Sequence, residues 1–138
     1  MVSILFLCVA NSARSQMAEG LARELFKDKD VSISSAGTQP STVHPCAIEA
    51  LEEVGLDISK HRSKSVDEFL QSKVDWVITL CKEESCPVFN GPVKKLHWPM
   101  PDPAGSSDDK EQLRKNFRNV RDMIKKQLEE FKKELSDL

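Results

Sequence analysis

Nowhere in this 138-residue chain do apolar residues run far enough to cross a membrane, which excludes a transmembrane helix. Blocks of like charge are also missing: 20 lysines and arginines stand interspersed with 22 aspartates and glutamates. A nucleic-acid-binding or membrane-surface patch is therefore not expected. Internal repeats, low-complexity stretches and linkers are absent too, so the length suits one domain, 1–138, with its own core. The three histidines, His44, His61 and His97, lack the close paired spacing of zinc modules, and no metal or other cofactor is expected. Met1 leads into an apolar strand with no charged region and cleavage site, which points away from a signal peptide and toward the cytoplasm. A balanced surface makes a monomer the default. In a reducing compartment the four cysteines read as catalytic, metal-binding or buried rather than as a disulfide framework.

What is present is an apolar run, Val2 to Leu7, followed at once by Cys8-Val9-Ala10-Asn11-Ser12-Ala13-Arg14-Ser15. Beyond it Met17, Ala18, Leu21, Ala22, Leu25 and Phe26 recur at helical spacing. A loop joining a strand end to a helix start presents unpartnered N–H groups at the positive end of the helix dipole, a ready site for a small dianion. The amides from Val9 to Ala13 supply the cradle, and Arg14 adds a bidentate fork. The same groups favour a thiolate at Cys8, to which Ser15 can donate a further hydrogen bond. This is the pattern of a nucleophile set beneath a tetrahedral oxyanion.

Further along, Val31 to Ser35 alternates like a strand ending at Ala36-Gly37, and Pro45 opens a helix closed by Gly55. A short helix is expected over Val66 to Ser72, a third strand over Val74 to Leu80 and a fourth over Val93 to Trp98. A long closing helix carries Leu113, Phe117, Val120, Ile124, Leu128, Phe131 and Leu135 on one stripe. Strands alternating with helices predict an α/β fold: a three-layer domain with a four-stranded parallel sheet and helices on both faces. In such sheets ligands bind beyond the carboxyl ends of the strands, the edge at which Cys8, Cys81 and Asp102 all emerge.

The pair Cys81 and Cys86 reads on its own as a redox pair, two unrelated thiols or part of a metal site. Asp102, flanked by Pro101 and Pro103, reads equally as a rigid loop element or as a general acid above the oxyanion loop. Cys46, at a helix start, is either a small packed residue or a dipole-activated thiol. His97 and Trp98 are expected to pack beneath the loop.

Taken together, several segments resemble the thioredoxin-coupled arsenate reductases, which share the low-molecular-weight protein tyrosine phosphatase fold. They are Cys8-x5-Arg14-Ser15 with Gln16-Met17-Ala18-Glu19-Gly20, Ser35-Ala36-Gly37, His44-Pro45, Leu56-Asp57-Ile58-Ser59, the cysteine pair after Thr79-Leu80, and His97-Trp98 before Asp102-Pro103-Ala104. The resemblance implies that Cys8 attacks arsenate held by the loop amides and Arg14, with Asp102 as proton donor. Cys81 then attacks Cys8, arsenite leaves, and Cys86 draws the disulfide outward for reduction by thioredoxin. Phosphate or sulfate would compete for the same loop. Glutaredoxin is the alternative electron donor.

The chain also departs from that pattern. Ala10 stands where glycine is frequent and Ala13 where cysteine is frequent, and the spacing between Cys81 and Cys86 is shorter than in some relatives. Relatives that bind potassium beside the loop use groups matching Asn11, Glu19 and Ser35. Here Lys64 stands where an acidic partner is expected, so no such ion is expected. Two further readings compete. A low-molecular-weight phosphotyrosine phosphatase would use only Cys8, Arg14 and Asp102, but the chain has no tyrosine, and Ala104 rather than an aromatic residue follows Asp102-Pro103. A non-enzymatic oxyanion or redox sensor would bind phosphate without turnover.

Overall fold

A strand that is apolar on both faces belongs in the middle of a covered sheet, and the segment Val2–Cys8 (β1) lies there, with Ile4, Leu5, Phe6 and Leu7 all fully buried. The computed structural model describes residues 2–81, 93–104 and 109–136. In it β1 pairs in parallel with Val31–Gly37 (β2) on one side and Trp76–Thr79 (β3) on the other, and β3 pairs with Lys94–His97 (β4) at the edge. The order is β2-β1-β3-β4. Ile4 lies in register with Ile33 on one side and Trp76 on the other, and Cys8 with Gly37, so β1 and β2 end together. Both β3 and β4 are shorter than the apolar runs suggest. Backbone bonds continue past the β3 ladder, from Asp75 N to Ser3 O and from Leu80 N to Leu7 O, each 2.9 Å, but the flanking residues leave the regular pairing.

Successive β1 side chains point to opposite faces. Ile4 and Phe6, with Ile33 and Ile78, meet the helices Arg14–Leu25 (α1), Pro45–Glu52 (α2) and Lys110–Ser136 (α3). Leu5 and Leu7, with Ala36 and Val77, pack beneath Val66 and Val74. The element over this second face is a 3-10 turn, Val66–Phe69, shorter than the helix expected through Ser72; Ser65 caps it by accepting from Asp67 N, and Ser72 N turns back onto Phe69 O.

The apolar stripe of α3 faces inward as its spacing dictates. Phe117, Val120, Ile124, Leu128, Phe131 and Leu135 are buried, with Leu113 packed at the margin. Phe131 meets Trp98 edge-on at 5.6 Å and Trp76 at 5.1 Å, pairings worth about 0.5–1.5 kcal/mol each beyond their buried area. Trp98 thus packs into the core against Phe131 and, at 6.4 Å, Phe6, and His97 Nδ1 lies 2.6 Å from Thr79 Oγ1. The start of α2 has Pro45 in its first turn and the His44 ring accepting from Cys46 N. Its end is closed by Leu56 N bonding Leu51 O and Gly55 N bonding Glu52 O, with Gly55 at φ 81, a conformation that glycine adopts without strain.

Candidate active site

Because β1 is parallel to its neighbours, its carboxyl end opens onto the same edge as those of β3 and β4, and the chain must turn there to enter α1. It does so through residues 8–14, with Asn11 at φ 49 aiding the reversal. The amide side chain of Asn11 then fixes the turn from inside. Its Nδ2 donates to Ser15 Oγ at 2.7 Å and to Ser35 Oγ at 3.0 Å, while its Oδ1 accepts from Gln16 Nε2 at 2.9 Å and Lys64 N at 2.8 Å. Ser15 Oγ stands 2.8 Å from Cys8 Sγ. Asn11 donates to the Ser15 oxygen, and a thiolate at Cys8, which has no proton to give, accepts the Ser15 hydroxyl proton.

Cys8, Val9, Ala10, Ser12, Ala13 and Arg14 line a cavity of about 530 Å3 together with Cys81, Asp102 and Ala104. The residues expected from the strand ends thus come together. Arg14 reaches across and donates from Nη1 to Met100 O at 3.1 Å. Met100 N in turn bonds Leu80 O at 3.0 Å, so one backbone residue ties Arg14, the Asp102 loop and the end of β3. Asp102 is exposed above the oxyanion loop, its Oδ1 accepting from Ala104 N at 3.0 Å, which holds the carboxylate in a tight turn. Cys86 lies outside the described residues.

The two buried thiols shift each other's titration in opposite directions. The Cys8 thiol is lowered to about 6, first by the hydrogen bond from Cys81 and then by Ser15 and the N–H groups of Ser15 and Asn11, against the opposing effect of burial. Cys81 is driven far up by the same hydrogen bond, by burial and by the negative charge on Cys8; Arg14 and the Val9 amide pull weakly the other way. Near neutral pH the pair is therefore a Cys8 thiolate beside a Cys81 thiol. Cys46 behaves otherwise. Burial and Glu49 raise its pKa, and its side chain packs, partly buried, against the core.

Behind the loop lies a buried polar cluster. Glu19, 3% exposed at its side chain, accepts from Ser35 Oγ at 2.6 Å and pairs with Arg23 at 3.2 Å. Lys64 Nζ comes to 3.4 Å from Glu19 Oε1, placing its own cation beside Glu19, next to Asn11 and Ser35. Among the described residues no group of three or more His, Cys, Asp or Glu side chains converges as a metal site.

Several contributors escape the motif. Gln16 bonds both Asn11 O and Arg62 O through Nε2, and its Oε1 meets His61 Nδ1 at 3.1 Å. Met100 acts through its carbonyl, which no side-chain pattern reports. The available signal for Gln16 was a glutamine on the buried face of α1. Gly37 is required by proximity: a Cβ there would meet Val9 O and stand 2.8 Å from Asn11 N. Both neighbours are backbone and cannot swing away. Gly37→Ala should therefore displace the loop, costing about 1–3 kcal/mol of stability and weakening phosphate affinity. Calorimetric titration with phosphate and a thermal melt check both; unchanged affinity would mean the loop yields.

Comparison with known proteins adds to this geometry. Residues 3–137 match the family model for low molecular weight phosphotyrosine protein phosphatase. An arsenate reductase of Staphylococcus xylosus is 43% identical over 132 residues, covering 94% of this chain and 95% of that protein. The solved structure of an arsenate reductase in an oxidized state superposes with a TM-score of 0.80 at 36% identity, covering 94% of this chain and 95% of that one. A thioredoxin-dependent arsenate reductase of Corynebacterium glutamicum gives a TM-score of 0.73 at 27% identity, covering 99% of this chain and 62% of that one.

Proposed function

The chain belongs to the low molecular weight phosphotyrosine protein phosphatase family, and we propose that within it this chain reduces arsenate to arsenite with electrons from thioredoxin. What carries the reading is that Cys8 and Cys81 line one cavity and that a hydrogen bond from Cys81 is the largest influence lowering the Cys8 thiol. A hydrolase needs one cysteine there, whereas two-electron reduction needs a second thiol that can take the first as its leaving partner.

In this reading arsenate sits on the amides of residues 9–14 with two oxygens on the Arg14 fork, and the Cys8 thiolate attacks arsenic. Asp102 protonates the departing oxygen, which leaves as water. Forming the sulfur–arsenic bond removes the charge on Cys8, and with it two of the three influences that hold Cys81 protonated. Cys81 then loses its proton and attacks Cys8 Sγ. The electron pair of the sulfur–arsenic bond passes to arsenic, and arsenite departs from a Cys8–Cys81 disulfide. Cys86 attacks Cys81, freeing Cys8, and thioredoxin reduces the Cys81–Cys86 bond through a mixed disulfide. Such a cycle fits a monomer in the cytoplasm, where thiols are kept reduced.

The described cavity lining contains no aromatic side chain to sandwich an aryl phosphate, which disfavours the phosphotyrosine reading. The test is arsenate-dependent NADPH oxidation with thioredoxin and thioredoxin reductase. The parent chain should turn over continuously, and Cys86→Ser should release a single arsenite per chain and stall. Sustained turnover by Cys86→Ser would overturn the relay. A parent that is active only with glutathione and glutaredoxin would change the donor. Efficient p-nitrophenyl phosphate hydrolysis that survives Cys81→Ser would favour the phosphatase.

A further inference from the structure

An amide faces a ligand only if the carbonyl of the same peptide faces away, because a trans peptide sets the two groups on opposite sides of one plane. The loop after β1 meets that condition through bonds made behind it. The carbonyls of Cys8, Val9 and Ser12 accept from the amides of Thr38, Gln39 and His44 at 3.3, 2.8 and 3.0 Å, and none of these three donors lines the cavity. The peptide joining Ala10 to Asn11 is held differently. Its carbonyl accepts twice, from Ser41 N at 3.1 Å and from Ser63 Oγ at 2.8 Å, and the Ser63 oxygen accepts in turn from Ser41 N at 2.9 Å. The next residue, Lys64, donates its amide to Asn11 Oδ1 at 2.8 Å, so one short segment holds Asn11 by backbone and by side chain. The same peptide carries strain. Asn11 has φ 49, and turning the peptide plane over would return φ to the negative values that residues with a side chain prefer. A turned peptide would also put the Ala10 carbonyl, the negative end of a dipole, where the Asn11 N–H now stands.

We propose that Ser63 is a positioning residue for the oxyanion: its hydroxyl holds the Ala10 carbonyl outward and so keeps the Asn11 N–H turned into the cavity, toward the tetrahedral ion and the Cys8 sulfur. This rests on the loop being the oxyanion site and not on the reduction that follows. Ser63 does not line the cavity, so it acts on the ion only through this peptide. The Asn11 amide is also one of the groups that lower the Cys8 thiol against the effect of burial, so the hydroxyl bears on the nucleophile as well. Ser41 N stays on Ala10 O when the hydroxyl is removed, which makes the loss partial.

The test is calorimetric titration of the reduced full-length chain with inorganic phosphate, comparing the parent with Ser63→Ala, Ser63→Thr and Ser63→Val. Threonine and valine share a shape and differ in the hydroxyl. The dissociation constant should rise about three- to tenfold in Ser63→Ala, and by about the same factor in Ser63→Val relative to Ser63→Thr. Ultraviolet titration of the Cys8 thiolate should move upward in the alanine and valine variants and be restored by threonine. If Ser63→Ala fails to fold, the threonine and valine pair carries the comparison. Equal phosphate affinity in that pair, an unmoved Cys8 titration, or a lowered thermal midpoint with unchanged affinity would overturn the proposal. Because phosphate binding needs no turnover, the two readings fail separately. The expected phosphate pattern in a chain that reduces no arsenate removes the reductase reading alone, and arsenate reduction with equal affinity in the pair removes the role of Ser63 alone. A parent that binds no phosphate removes the oxyanion loop and this proposal with it.

Discussion

Cys81→Ala should abolish arsenite formation, a loss of roughly a thousandfold or more in turnover, and should also move the titration of Cys8 upward. The two effects have separate causes. Turnover fails because no thiol remains to take the sulfur–arsenic electron pair into a disulfide. The titration moves because the largest influence lowering the Cys8 thiol to about 6 is the hydrogen bond from Cys81. Removing that donor leaves Ser15 and the amides of Ser15 and Asn11 to oppose burial, so the thiolate forms only at higher pH. In the parent, thiolate-dependent alkylation should therefore hold down to about pH 6 and decline below it, whereas in Cys81→Ala the decline should begin on the alkaline side of that value. Cys81→Ser separates the causes. Its hydroxyl keeps a donor beside Cys8, so it should lose turnover as fully as alanine while keeping more of the low titration. Ultraviolet thiolate absorbance against pH, with an arsenite assay on the same samples, reads both. Identical Cys8 titrations in all three proteins would mean that Cys81 does not share its proton with Cys8.

How much of this arrangement the sequence discloses depends on how local the cause is. Cys8, Arg14 and Ser15 are legible because a strand, a loop and a helix start lie within one short segment, and the chemistry of the loop follows from the orphan amides it must contain. The α3 stripe is legible because its spacing has only one buried solution. Even the meeting of Cys8, Cys81 and Asp102 follows from a rule, since parallel strands bring their carboxyl ends to one edge. What the rule does not supply is distance. That Cys81 touches Cys8, rather than standing elsewhere on the same rim, depends on the register of Leu80 against Leu7 and on Met100 bridging back to Leu80. Gln16, His61 and Gly37 stand in view in the sequence, but what they do there does not, for a similar reason. Their roles rest on backbone approach and on side chains from distant segments, and a glutamine among apolar helix positions announces only that a partner exists.

Arg14→Lys should weaken arsenate and phosphate binding by roughly 10–100-fold, the equivalent of losing one charge-assisted hydrogen bond of about 1.5–3 kcal/mol. Lysine keeps the charge but not the geometry. The guanidinium in the parent can spend Nη1 on Met100 O and still present its remaining N–H groups to two oxygens of a tetrahedral ion. An ammonium on a flexible stem must choose between them. If it turns to the ion, Met100 O loses its partner and the turn bearing Asp102 is less firmly held, so leaving-group protonation should suffer as well. If it stays on Met100, the ion loses its fork. The charge that Arg14 presents to Cys81 survives in either case, and this charge opposes the protonation of Cys81. The attack of Cys81 on Cys8 should therefore be affected less by lysine than by alanine. The expected pattern is a KM for arsenate raised by the full factor, a smaller fall in kcat for Arg14→Lys, and a larger fall in kcat for Arg14→Ala. Steady-state kinetics with phosphate as a competing ligand distinguishes these outcomes, and an unchanged inhibition constant for phosphate in Arg14→Lys would move the oxyanion away from this loop.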